Sequence, residues 1–205
     1  MKTIRQPIIH EVVIEKSRFI CSLKRINNVA EATDFINKVK KEHWNASHNC
    51  TAFVIGKKSE IMRSNDNGEP SGTAGAPMLD SLKKNNLSDI VAVVTRYFGG
   101  TKLGAGGLIR AYSKSVSESI RLATIIESVD MNVVNVNVSY PTANILDNKL
   151  TDHLCIKKDY SEEVIFTYYV KPTELVDFIN QVTELTLSNF THEIINTISY
   201  DLESN

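Results

Sequence analysis

RYFGGTKLGAGGLIRAYS, residues Arg96–Ser113, sets five glycines between a strand and a helix. On the strand side, Asp89–Phe98 carries the run IVAVV, which reads as fully buried. On the helix side, Leu108–Ala123 places Leu108, Tyr112, Val116, Ile120 and Ala123 on one apolar stripe. Roughly opposite that stripe, Arg110, Lys114, Ser117 and Arg121 fall within about 60° of one another at 100° per residue. A glycine-rich turn of this kind aims backbone N–H groups and a helix dipole at one place, which suits a phosphate or a carboxylate. The candidate anion- or nucleic-acid-binding residues are therefore Arg96, Gly99, Gly100, Lys102, Gly104, Gly106, Gly107, Arg110, Lys114 and Arg121. Tight packing of the turn on a neighbouring strand is the alternative explanation. The stretch contains no G-x-x-x-x-G-K-[ST], so it is not a Walker A loop. Gly104-x-Gly106 has Ile109 where a dinucleotide fingerprint needs its third glycine.

Outward from this stretch, the glycines stay clustered. All nine of them in the 205-residue chain lie between Gly56 and Gly107. With 42% hydrophobic and 23% charged residues and only five prolines, the composition is that of an ordinary globular protein and excludes collagenous or low-complexity chains. The net charge of −1 hides an asymmetry: residues 1–128 carry 19 Lys and Arg against 12 Asp and Glu, a net of +7, and residues 129–205 carry a net of −8. Halves of opposite sign point to different partners, or to mutual attraction in which the acidic half shields the basic one. Cys21, Cys50 and Cys155 are odd in number and far apart, so they support neither a disulfide framework nor a metal site. The N-terminus is too charged for a signal peptide, and the strongest apolar stretch, near Ile90–Val94, is far too short to span a membrane. A cytoplasmic protein without membrane partner, metal or cofactor is expected.

A second cluster, Ser64–Met78 (SNDNGEPSGTAGAPM), holds Asp66 and Glu69 three residues apart, with His48 upstream. These three are the candidate catalytic residues, for general acid–base work or metal ligation. The simpler reading is a turn followed by a helix N-cap at Ser71 or Thr73. His48 and Cys50 share a face if that segment is a strand, but no third group orients them, and the thiol reads as core. Trp44, at the end of an amphipathic helix over Val29–Trp44, reads as packing. Of Tyr168 and Tyr169, one is expected in a core and the other at solvent or an interface.

The acidic segment orders its elements β-α-β-β-α-β, the ferredoxin-like arrangement. Val134, Val136 and Val138 mark the first strand; Pro141 and Pro172 open the helices, and Ile194–Tyr200 closes the segment. Two domains are expected, 1–129 and 130–205. In the first, Ile9–Leu23 reads as one long strand or a hairpin, Cys50–Gly56 and Ile61–Arg63 as strands, and Thr73–Asn85 as a helix with Pro77 in its first turn.

Arg96–Ser113 resembles the signature of the YigZ/Impact family. So do Lys16-Ser17-Arg18-Phe19, Ala46-Ser47-His48-Asn49-Cys50 and Gly68-Glu69-Pro70-Ser71-Gly72-Thr73-Ala74-Gly75, in the same order and spacing. The family commonly has two successive aspartates before Gly-Glu-Pro, whereas here the second is Asn67. The resemblance implies an α+β protein, with a first domain like domain 2 of ribosomal protein S5 and a ferredoxin-like second domain like the last domain of elongation factor G. It also implies a role in regulation of translation, and it brings no established reaction.

Three functions follow as expectations. The first is a non-enzymatic binding module that contacts RNA or the ribosome through the basic domain. The second is an enzyme acting on a phosphorylated small molecule or nucleotide held at Gly99–Gly107. The third is a regulator that recognises a translation-associated protein. The reading leans away from an enzyme.

Overall fold

The computed structural model describes residues 1–203 and divides into two compact units, Met1–Glu127 and Ser128–Leu202. The architecture is α+β. No helix among the described residues is long and apolar enough to cross a membrane.

The first unit is built on an antiparallel sheet of five strands. They are β2 (Ile8–Ile14), β3 (Ser17–Arg25), β4 (His48–Ile55), β5 (Ile61–Asn65) and β6 (Ile90–Tyr97), in the order β2-β3-β6-β4-β5. The short β1 (Lys2–Ile4) lies outside it. Strand β6 is central, and alternation splits its residues between two cores. Ile90, Ala92 and Val94 face α2 (Gly75–Lys84) and α3 (Gly104–Leu122), joining Met78, Leu82, Leu108, Tyr112 and Val116. Val91 and Val93 face α1 (Val29–Glu42), joining Ala32 and Val39. Helix α1 starts with a reciprocal cap: Asn28 Oδ1 accepts from the Glu31 amide at 2.9 Å while the Glu31 carboxylate accepts from the Asn27 amide at 3.0 Å.

Ile9–Leu23 is a hairpin. Its two-residue turn, Glu15–Lys16, has φ of +46° and +66°, the geometry of a type I′ turn without the Asn-Gly that usually announces one. Helix α2 does hold Pro77 in its first turn. Helix α3 begins four residues before the expected Leu108, so Gly104, Gly106 and Gly107 belong to its opening turn rather than to the loop. Trp44 corrects the packing expectation: it lies just beyond α1 and is 82% exposed.

The second unit runs β7 (Ile125–Val138), α4 (Tyr140–Lys149), β8 (Leu154–Tyr160), β9 (Val164–Val170), α5 (Leu175–Thr186) and β10 (Thr191–Glu203), which is the β-α-β-β-α-β order read from the sequence. Strand β7 straddles the division: Ile125–Glu127 pair with β1, while Asn132–Val138 pair with β9. Val134, Val136, Phe166 and Tyr168 pack against Leu146 of α4 and Phe178 and Val182 of α5. Tyr168 is buried, and its neighbour Tyr169 is half-buried, edge-to-face with Tyr200 at 5.3 Å.

Candidate functional site

The strand registers bring every motif of the first unit to one end of its sheet. Strands β2, β5 and β6 end there, and β3 and β4 begin there. The same end receives the C-terminus of α1 through a contact between His43 and Tyr97, and the N-terminus of α2, where Gly75 lies against Asn65. The loop into α3 completes it. Segments far apart in sequence, around residues 16, 48, 69 and 99, become neighbours.

Glu69 is the buried centre of this end. Its Oε1 accepts from Arg96 Nη1 and from the Tyr112 hydroxyl, each at 2.8 Å, and its side chain is 3% exposed. Arg96 is equally buried, its guanidinium 5.4 Å from the Phe19 ring centre and 5.5 Å from that of Phe98. Its Nε has no hydrogen-bond partner among the described residues. The expectation that Arg96 lends free positive charge to the glycine turn is therefore corrected, because its charge is taken up by Glu69 inside the protein.

Asp66 is spent on the helix. One carboxylate oxygen accepts from the amides of Ala74 (3.0 Å) and Gly75 (2.8 Å), the other from Gly72 (2.8 Å). It thus caps α2 in place of Ser71 or Thr73. Partial burial pushes its carboxyl up, but the three amide hydrogen bonds outweigh that and hold it below the ordinary value. Asn67, at φ +46°, serves two neighbours: its Oδ1 accepts from the Asn49 amide (2.8 Å) and its carbonyl contacts His48 Nδ1 (2.9 Å). A carbonyl only accepts, so Nδ1 carries a proton, and Nε2 faces Glu69 Oε2 at 3.9 Å. Both tasks of Asn67 need only an oxygen and a backbone carbonyl, so a second aspartate is not required at this turn. Burial pushes the Cys50 thiol up to about 12. It donates to the Asp66 carbonyl at 2.9 Å, and its hydrogen-bond partners do not include His48. The three candidate catalytic residues do come together, but as a structural network centred on Arg96, Glu69 and Tyr112.

The glycine turn divides by cause. A Cβ on Gly99 would sit 2.0 Å from the Lys16 carbonyl, so this glycine exists to let the turn close on the β2–β3 hairpin. Its N–H donates to Ser17 Oγ at 3.1 Å. Gly100 and Gly104 instead take φ of +91° and +67° with open space where a side chain would be.

Beside them lies a cleft of about 480 Å³ lined by Glu15, Thr101, Lys102, Gly107, Arg110 and Lys114, among others. Helix α3 opens onto it from Leu103, an N-cap residue whose side chain makes no cap hydrogen bond. Lys102 and Arg110 are exposed and have no ion-pair partner among the described residues. Lys114 and Arg121 contact Glu118 at 3.8 and 3.5 Å, and His10 reaches the same carboxylate at 3.3 Å. Glu118 was missed in the sequence, although its position four residues after Lys114 and three before Arg121 is the spacing of helical ion pairs. Tyr112 reads in the sequence only as part of the apolar stripe, and its hydroxyl contact with Glu69 does not show there.

Residues 15–120 match the Impact N-terminal domain. The IMPACT family member YvyE of Bacillus subtilis (strain 168) is 51% identical over 186 residues, 90% of this chain and 86% of that protein. The IMPACT family member YigZ of Escherichia coli (strain K12) is 34% identical over 169 residues, 80% of this chain and 83% of the relative. A hypothetical protein of known crystal structure superposes with a TM-score of 0.62 at 30% identity, covering 95% of this chain and 97% of the other. The motifs that meet at the sheet end fall within the matched domain or on its border, and the chain belongs to the IMPACT family.

Proposed function

We propose that this protein is a non-enzymatic, translation-associated module that binds RNA, free or within the ribosome, through the cleft at the N-terminus of α3. The observation that carries the reading is the pair Lys102 and Arg110, cations without an ion-pair partner among the described residues, on a cleft onto which the start of α3 opens. The net charge of +7 over residues 1–128 supports it. Phosphate contacts by a few such side chains make binding steeply salt-dependent, because each neutralised phosphate releases counterions.

Fluorescence anisotropy with a labelled structured RNA between low and moderate salt tests this. Lys102→Glu and Arg110→Glu should weaken binding and flatten its salt dependence, reducing the slope by about one for each cation replaced. Salt-insensitive binding, or affinity unchanged in both variants, refutes the cleft as the RNA site.

A phosphorylated small molecule in the same cleft is the second reading, since about 480 Å³ is ample for one. The engagement of Asp66 in capping and of Glu69 with Arg96 weighs against their serving as its acid and base. A nucleotide panel in thermal shift, with and without magnesium, separates the two. A ligand at a hundred times its Kd adds about 2.7 kcal/mol, enough to see.

A further inference from the structure

Trp44 is the single tryptophan of the chain, and the protein holds it outward. The loop that carries it is fastened on both sides. The His43 amide donates to the Val39 carbonyl (2.9 Å), and the Ser47 amide donates to the Arg96 carbonyl (2.9 Å). The Tyr97 hydroxyl lies 2.9 Å from His43 Nδ1 and donates to Asn45 Oδ1 at 3.3 Å. The Phe98 amide in turn donates to Ser47 Oγ at 3.1 Å. Despite this anchoring, Trp44 is 82% exposed and Phe98 is 50% exposed. A large aromatic on a fastened loop is presented to a partner at little ordering cost.

Cations surround this end of the sheet. Lys40 and Lys41 form the last turn of α1, immediately before Trp44, and neither has an ion-pair partner among the described residues. Glu42 is occupied by Lys38 at 3.9 Å. Phe98 leads directly into the loop that carries Lys102. Flat apolar rings near cations that have no ion-pair partner among the described residues match a chain whose units are a π-face and a phosphate.

We infer that Trp44, together with Phe98 at the same end of the sheet, stacks unpaired bases of a single-stranded RNA segment whose phosphates run along Lys40, Lys41 and Lys102. This rests on the RNA reading above and extends it from phosphate contact to base contact, with the stacking rings outside the cleft.

The test uses the full chain and an oligouridine about a dozen nucleotides long, within the usual span of single-strand sites. Trp44 emission and anisotropy of the labelled RNA are followed in parallel. Emission should be quenched with the same midpoint as the anisotropy change. Trp44→Ala should weaken binding roughly 5- to 100-fold, the range for loss of one stacked base, while Trp44→Phe keeps most of the affinity. Exposure of the side chain makes both variants folding-neutral, which circular dichroism checks. RNA binding with unchanged emission and unchanged affinity in Trp44→Ala overturns the stacking proposal and leaves the cleft standing; a surface made for a protein partner gives that result. Absence of RNA binding by either signal, with this RNA and with the structured one, overturns both.

Discussion

Arg96 and Glu69, 27 residues apart in the chain, meet at 2.8 Å with neither side chain more than 7% exposed. This ion pair ties the central strand to the turn before α2, and the Tyr112 hydroxyl adds α3 to the same oxygen. A buried pair is weak evidence of net stabilisation, because desolvating two charges offsets their attraction. Breaking it is another matter.

Glu69→Ala leaves a buried guanidinium without its counter-charge, and it should cost about 3–5 kcal/mol in urea unfolding. Tyr112→Phe removes one hydrogen bond to the same carboxylate and should cost less, about 1.5–3 kcal/mol. Equal, small losses in both variants would mean that the pair is dispensable to the fold.

The glycines separate packing from conformation. Gly99→Ala drives a methyl into the Lys16 backbone, and overpacking of that kind costs about 1–3 kcal/mol or more. Gly106 sits in the first turn of α3, where an added Cβ meets only the end of Arg110 at 3.5 Å. Gly106→Ala should therefore stabilise by up to about 1 kcal/mol, the helix-propensity difference. Thermal unfolding of the two variants should move the melting temperature in opposite directions.

The difference between these two glycines shows where the sequence is legible. Periodicity reveals α3, the buried β6 and the whole order of the second unit, because apolar spacing reflects burial in local elements. It does not reveal that Gly99 faces Lys16, a contact spanning more than eighty residues that only the β3–β6 register creates. Arg96 reads as a free cation for the same reason, since its partner arrives with a turn that the sequence places far upstream. Trp44 reads as packing because the helix is read through to it, whereas α1 stops at Glu42 and leaves the indole exposed. The residue types of the site are visible in one dimension, and their pairing is not.

The two buried thiols, Cys21 and Cys50, are predicted to be inert. Burial pushes Cys21 and Cys50 up to about 12, and it also raises Cys155, which is half-buried. A thiol-specific reagent at pH 8 should titrate at most one cysteine in the native protein and three after unfolding, and Cys155→Ser should remove the native signal. The buried thiols also set an alkaline limit. Their folded-state values lie above the unfolded one, so their contribution is complete below about pH 8.5 and is lost as pH rises toward 12.

Asp66 sets the corresponding acid limit. Its carboxyl is held below the ordinary value by the amides of Gly72, Ala74 and Gly75, which outweigh partial burial acting the other way. The charged form is the one that caps α2, so its contribution is present above about pH 4 and disappears as pH falls through the lowered folded value. At pH 7, Asp66→Ala should cost about 1 kcal/mol, the usual loss of a side-chain cap, with the start of α2 fraying first. Urea unfolding of both proteins from pH 7 to pH 3 gives the sign directly. The gap between them should narrow as the solution becomes acidic, because the wild-type carboxylate gains the proton that ends its capping. A gap that stays constant across that range would show that Asp66 stabilises the turn through its shape rather than its charge.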